Sequence, residues 1–172
     1  MVQEKIGLSV WFDACAEQAA NFYAETFPQS RVNAVRRAPC DFHSGKTGDV
    51  IAVNFTVFGL PFLGLNGGDH YRSGESLAVR IVTDSQQETD RYWNAIVSNR
   101  GEEGERGRCR DRFGLRWQLV PRRLAELLND TDRERASRVF EAMGTMRKLD
   151  IAVLEAAADG SDPMSSFGSR RE

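Results

Sequence analysis

The stretch DVIAVNFTVFGLPFLGLNGG, residues 49–68, decides the fold. Val50, Ile51, Val53, Phe55 and Val57 are interleaved with Asn54 and Thr56, the pattern of a buried strand rather than of a helix. Gly59-Leu60-Pro61 turns the chain into a second strand, Phe62 to Leu65. Asn66-Gly67-Gly68-Asp69 ends that strand, because glycine tolerates positive φ. A helix-forming reading of this region would have to absorb four glycines and a proline.

Upstream, Ile6 to Phe12 reads as a strand, with Val10, Trp11 and Phe12 suited to burial. Asp13 is the expected cap of the following helix, whose apolar stripe is Ala16, Ala20, Tyr23 and Phe27, with Pro28 as its stop. Ser30 to Ala38 alternates around Val32 and Val35 as an edge strand, and residues 39–48 form a loop. The first third is therefore strand, helix, strand, strand, strand. Downstream the order starts again. Ser76 to Val82 is a strand, and Ser85-Gln86-Gln87-Glu88 has the form of a capping box. The helix after it carries Thr89, Trp93, Ile96 and Val97 on one face and is closed by Asn99-Arg100-Gly101. Residues 102–112 are polar and read as a weak or irregular strand. Gly114 then turns into a strand over residues 115–120, which Pro121 stops.

Two βαβββ units in tandem (6–68 and 75–121, together a paired domain over 1–121) predict an α+β fold. Leu124, Leu127 and Leu128, then Ala136, Val139, Phe140 and Met143, then Met146, Leu149, Ile151 and Leu154 make residues 122–158 a helical C-terminal extension. Residues 159–172 are rich in Ser, Gly and Asp and poor in apolar side chains, so a disordered tail is expected there.

The 172 residues suit one domain or a pair of half-domains, with 41% hydrophobic and 28% charged residues. A formal net charge of -2 gives no reason to expect nucleic acid or an anionic membrane as partner. No apolar run approaches the ~20 residues needed to span a bilayer. Met1-Val2-Gln3-Glu4-Lys5 lacks the basic-then-apolar pattern of a secretory signal. Cys15, Cys40 and Cys109 are odd in number and without a CxxC pair, which favours reduced thiols. The expected compartment is the cytoplasm.

Several stretches together resemble one family. They are Trp11-Phe12-Asp13 with residues 17–23, then Phe27-Pro28 through Val32, then Asn54-Phe55 with Gly59-Leu60-Pro61-Phe62 and Leu65-Asn66-Gly67-Gly68. Asp90-Arg91-Tyr92-Trp93, Asp111-Arg112-Phe113-Gly114, residues 117–121, Ala142-Met143 and residues 146–151 follow in order. The chain resembles the PhnB-like branch of the vicinal-oxygen-chelate superfamily, the glyoxalase and bleomycin-resistance fold. That resemblance implies tandem βαβββ modules forming an open, cup-shaped mixed sheet, and a homodimer. It also implies, in metal-dependent relatives, ligands on the first and last strands of each module. Here those places fall on Gln118, near Leu63, and near Ile6 and Leu77. An amide is a much poorer ligand than a carboxylate for a hard or borderline cation, and the other three are apolar. Neither His43 nor His70 stands at a ligand place, so no metal and no other cofactor is expected. Where many relatives carry Cys-Gly-Trp before the Asp-x-Phe-Gly turn, this chain has Arg106-Gly107-Arg108, which removes that thiol.

Gln118 and Arg116 share a face of an extended strand, with Trp117 pointing the other way. They read either as a clamp for an anion or carboxylate or as a solvated rim with a local hydrogen bond. Arg106, Arg108, Arg110 and Arg112 alternate and read first as a charged edge strand that blocks aggregation, second as a phosphate patch. Asn54 and Arg80 interrupt apolar strands and need partners; Trp11 and Asn66 are candidates for the mouth of the cup. The expected ligand-binding set is Gln118, Arg116, Trp11, Asn54, Leu63 and Asn66. The function expected is metal-free binding of a small polar organic molecule, with a metal-free enzyme of the same superfamily as the alternative. Some members of the branch carry the label demethylubiquinone methyltransferase, but the chain lacks a glycine-rich βα loop followed by a ribose-binding acid, and its βαβββ order is not a doubly wound sheet.

Overall fold

The computed structural model describes residues 6–43, 45–67, 76–98 and 100–161. It divides into two compact units, Met1–Leu77 and Ala78–Glu172. Unit 1 holds β1 (Leu8–Phe12), α1 (Ala16–Thr26), β2 (Arg31–Arg37), β3 (Val50–Val57) and β4 (Leu60–Asn66). The sheet order is β1-β4-β3-β2, with β1 parallel to β4 and the other pairs antiparallel. The β3–β4 turn is Phe58-Gly59, one residue earlier than the sequence suggests. Both residues have positive φ, 50° and 77°, as a tight hairpin of right-handed strands requires.

Helix α1 lays Ala16, Ala19, Ala20 and Tyr23 on the sheet, all fully buried. Tyr23 meets Phe55 at 5.8 Å between ring centroids, and Phe55 stacks on Phe62 at 5.1 Å. Small residues allow this approach: a Cβ on Gly64 would lie 3.2 Å from Phe12 and 3.3 Å from Ala16. The cap expected from Asp13 is not used. Cys15 holds the N-cap position with no side-chain cap, and Asn66, fifty residues away, supplies the missing acceptor. Its Oδ1 accepts from the Ala16 N–H at 3.0 Å, and its Nδ2 donates to the Val50 carbonyl at 2.8 Å. One amide thus fixes the end of β4 to both α1 and β3.

Unit 2 holds β5 (Val79–Thr83), α2 (Gln86–Val97), β6 (Glu102–Glu103), β7 (Arg108–Arg110), β8 (Arg116–Pro121), α3 (Arg122–Leu128), α4 (Arg133–Gly144) and α5 (Ile151–Ala158). Its sheet order, β5-β8-β7-β6, repeats that of unit 1, again with the first strand parallel to the last. The capping box forms: the Glu88 N–H donates to Ser85 Oγ at 3.1 Å, and Glu88 Oε2 accepts from the Asp84 N–H at 2.8 Å. Asp111 organises the turn before β8. Its Oδ1 accepts from the N–H groups of Phe113 and Leu115, and its Oδ2 accepts from Trp117 Nε1 at 2.8 Å. That carboxylate is buried, and its hydrogen bonds offset the desolvation cost.

Residues 102–112 are two short strands rather than one. The turn between them contains Arg106 and Gly107, both at positive φ, and a Cβ on Gly107 would come 2.3 Å from the Leu119 carbonyl oxygen. Arg106 and Arg112 therefore leave the strand, and β7 is interior. On that side of the sheet the edge is β6, with β5 the opposite edge, so the edge reading of the arginine run is corrected.

The C-terminal helices belong to unit 2. Leu124, Leu127, Val139, Leu149, Leu154 and Ala158 form one buried cluster, with Val120, Met143 and Met146 packed against it. Gln86 ties this segment to α2: its Oε1 accepts from the Ile151 N–H at 2.8 Å and its Nε2 donates to the Leu149 carbonyl at 3.2 Å. Lys148 pairs with Asp90 at 2.6 Å, and that hydrogen bond holds the Asp90 carboxyl below its ordinary value. The expected tail does not begin at Asp159. Asp159 accepts from Arg135 at 2.7 Å, and Gly160 and Ser161 close α5; residues 162–172 of that expectation lie outside the described residues. Among the described residues, no helix is long and apolar enough to cross a membrane.

Asn66→Ala leaves the Ala16 N–H and the Val50 carbonyl without their partner and is expected to destabilise unit 1 by about 2 kcal/mol. Asn66→Asp keeps the acceptor and should recover part of the loss, both read from denaturant unfolding. Burial, with the nearby charges of Asp111 and Glu103, pushes the Cys109 thiol up to about 12. The folded value lies above the unfolded one, so this stabilisation is complete below about pH 9 and declines as pH rises towards 12. At neutral pH a thiol reagent should label exposed Cys40 promptly and Cys109 only on unfolding. Prompt labelling of Cys109 in the native protein would contradict this packing.

Candidate functional site

Each sheet has one face under its helix and one face left uncovered by it, and strand alternation decides which side chains reach the uncovered face. β1 and β5 have the same sequence of buried and exposed residues, so the two units can be matched strand for strand. In unit 1, Ser9 of β1 lies beside Leu63 of β4, which lies beside Asn54 of β3. The next row on that face is Trp11, Leu65 and the buried Ala52. Trp11 is 40% exposed, while Val10 and Phe12 on either side are buried. Asn54 and Ser9 make no side-chain hydrogen bond among the described residues. The structural partner that the sequence suggests for Asn54 is therefore not found among them.

In unit 2 the same construction gives a different surface. Arg80 of β5 stands beside Gln118 of β8, and Gln118 stands beside Arg108 of β7. Arg116 opposes Arg110 two residues earlier on β8. Trp117 and Leu119, on the other face, are fully buried under α2 together with Cys109. Like charges opposed across a sheet repel, and Arg110 is compensated by an ion pair with Glu102. Arg108 donates its Nε to the Glu105 carbonyl at 3.2 Å. Arg80 and the Gln118 amide make no side-chain hydrogen bond among the described residues.

Five of the six expected site residues thus stand on the faces turned away from the helices, Trp11 exposed and the other four half-buried. Trp11, Leu63 and Asn54 lie on that of unit 1, and Gln118 and Arg116 on that of unit 2. Asn66 points to the helix side, with both amide groups taken up by the backbone. Sequence reasoning missed that Arg80 and Arg108 flank Gln118, and that Ser9 flanks Leu63. Arg80 was visible as a charge within an apolar strand. Its pairing partner was not, because β5 and β8 are parallel strands joined through α2 and two further strands, and their register is set by packing rather than by a local turn.

The metal-ligand places expected near Ile6 and Leu77 precede the strands, at 84% and 57% exposure. The first-strand residues beside Leu63 and Gln118 are Ser9 and Arg80. A hydroxyl, an alkyl chain, a guanidinium and an amide do not fit a divalent cation, and the guanidinium repels one. Among the described residues no group of three or more His, Cys, Asp or Glu side chains is placed to hold a metal.

The comparisons with known proteins agree with this architecture. A PhnB protein from Bacillus cereus superimposes with a TM-score of 0.61 at 24% identity, covering 69% of this chain and 99% of its own. The protein PA1353 from Pseudomonas aeruginosa gives 0.57 at 16% identity, covering 69% and 98%. These likenesses establish the fold, and neither accounts for the whole length of this chain. No curated protein matches it. The family model described as 3-demethylubiquinone-9 3-methyltransferase matches residues 4–120, both βαβββ units but not the C-terminal helices. The chain belongs to that family, in the PhnB-like branch of the vicinal-oxygen-chelate superfamily.

Proposed function

We propose that this protein binds a small polar organic molecule without a metal, on the uncovered sheet face of unit 2 centred on Gln118 and Arg116. The observation that carries the reading is the composition of that face. Its arginines and its one amide stand in register above a buried layer of Trp117 and Leu119. A rigid, well-packed strand presenting polar groups outward is what a binding site needs, since the groups are held before the ligand arrives. The corresponding face of unit 1, with Trp11, Leu63 and Asn54, is read the same way, as an apolar surface with one amide. Homodimer formation belongs to the same reading and is decided by sedimentation.

The family description names a methyl transfer. Binding is placed ahead of it because the strand-to-helix turns, Asp13-Ala14-Cys15 and Asp84-Ser85, hold no glycine. A dinucleotide-like or nucleoside cofactor bound at such a turn needs close backbone approach.

Native mass spectrometry of the purified protein is expected to detect a retained small molecule, lost in Gln118→Ala. Stoichiometric zinc, nickel or manganese that disappears with Gln118→Ala would overturn the metal-free part. Micromolar binding of S-adenosylmethionine, with methyl transfer to an added acceptor, would replace binding by catalysis.

A further inference from the structure

We infer that the row Arg80–Gln118–Arg108 is an oxyanion clamp, so that the molecule bound on unit 2 is an anionic one carrying a carboxylate, phosphate or phosphonate group. The inference rests on the binding reading above and names its ligand class. Neighbouring strands are about 4.8 Å apart, so Arg80 and Arg108 rise from backbones about 10 Å apart, with Gln118 midway. Two flexible guanidinium arms at that separation can converge on one small anion above the amide, each offering a pair of donors.

Three further observations point the same way. Arg80 has no hydrogen-bond or ion-pair partner among the described residues, and the terminal nitrogens of Arg108 have no acceptor among them. Among the described residues of the paired strands, Arg80, Arg108 and Arg110 on this face stand against one carboxylate, Glu102, in a chain whose formal net charge is -2. The positive charge is thus local to this face. Guarding an edge against aggregation does not account for Arg108, Arg110 and Arg116, because β7 and β8 are interior strands; Arg80 alone stands on an edge strand, β5.

The identity of residue 118 acquires a reason. A glutamate between two arginines would pair with them and neutralise the clamp. Glutamine leaves both guanidiniums available, adds an N–H donor, and offers its carbonyl to a hydroxyl or ammonium proton beside the anionic group.

The test uses the full chain and titration calorimetry at fixed ionic strength, with succinate, methylphosphonate and inorganic phosphate as anions and acetamide and glycerol as neutral probes. At least one anion is expected to bind. Arg80→Ala and Gln118→Glu should each weaken it about ten- to hundredfold. Arg80→Lys, which keeps the charge but not the planar fork, should fall between. Arg133→Ala, at an exposed arginine of α4, should leave anion affinity unchanged. Thermal unfolding of each variant confirms folding, and Gln118→Glu is expected to melt higher because it relieves repulsion. The pattern of anions bound separates a carboxylic acid from a phosphorylated or phosphonate ligand. Anion affinity that is the same in Arg80→Ala and Gln118→Glu as in the parent overturns the clamp. Binding of neutral probes without any anion overturns the clamp and leaves the binding reading standing. Retention of no small molecule in native mass spectrometry, together with no binding by any probe, overturns both.

Discussion

Cross-strand register is the constraint on which the open faces depend. In both units the first strand runs parallel to the last and is bonded directly to it, with a helix laid over one side. Because side chains alternate, sinking Phe62 and Gly64, or Trp117 and Leu119, beneath the helix forces Leu63 and Gln118 outward. A slip by one residue would put Gln118 into the core beneath α2 and Trp117 into solvent. Packing of the helix side therefore decides which side chains the other face presents. The anchors are Asn66 in unit 1, which bonds two backbone groups, and Asp111 in unit 2, which bonds two backbone N–H groups and the Trp117 indole.

The two units share a topology and diverge in surface. The row Ser9–Leu63–Asn54 is small, apolar and amide, and its counterpart Arg80–Gln118–Arg108 is cationic. Repeated modules free their outward residues from the requirements of folding, since only the inward set must pack. The helical extension adds to unit 2 alone. It is anchored by Gln86 on two backbone groups and by a buried cluster around Leu149 and Leu154, and it lies beyond the region matched by the family model.

Much of this was legible in residue order. The strand over residues 50–57, the capping box at Ser85, the stripe of α1 and the repeat itself follow from hydrophobic period and turn chemistry, which are local. The opposed directions of Gln118 and Trp117 were legible for the same reason. The cap of α1 was not: Asp13 is the nearer candidate, but the acceptor arrives from Asn66 through the closing of the sheet. Nor was the break of residues 102–112 into two strands, which follows from a glycine beneath the Leu119 carbonyl.

The sequence by itself determined most of the element order, the α+β class and the family resemblance. Each of these rests on residue type and short-range spacing. Only the tertiary structure decided which residues are neighbours across strands. It placed Arg80 and Arg108 on either side of Gln118 and turned Asn66 inward, because register is set by helix packing and by turns distant in the chain. A neutral amide that reads in isolation as a lost metal ligand stands, in the folded sheet, in register between two arginines.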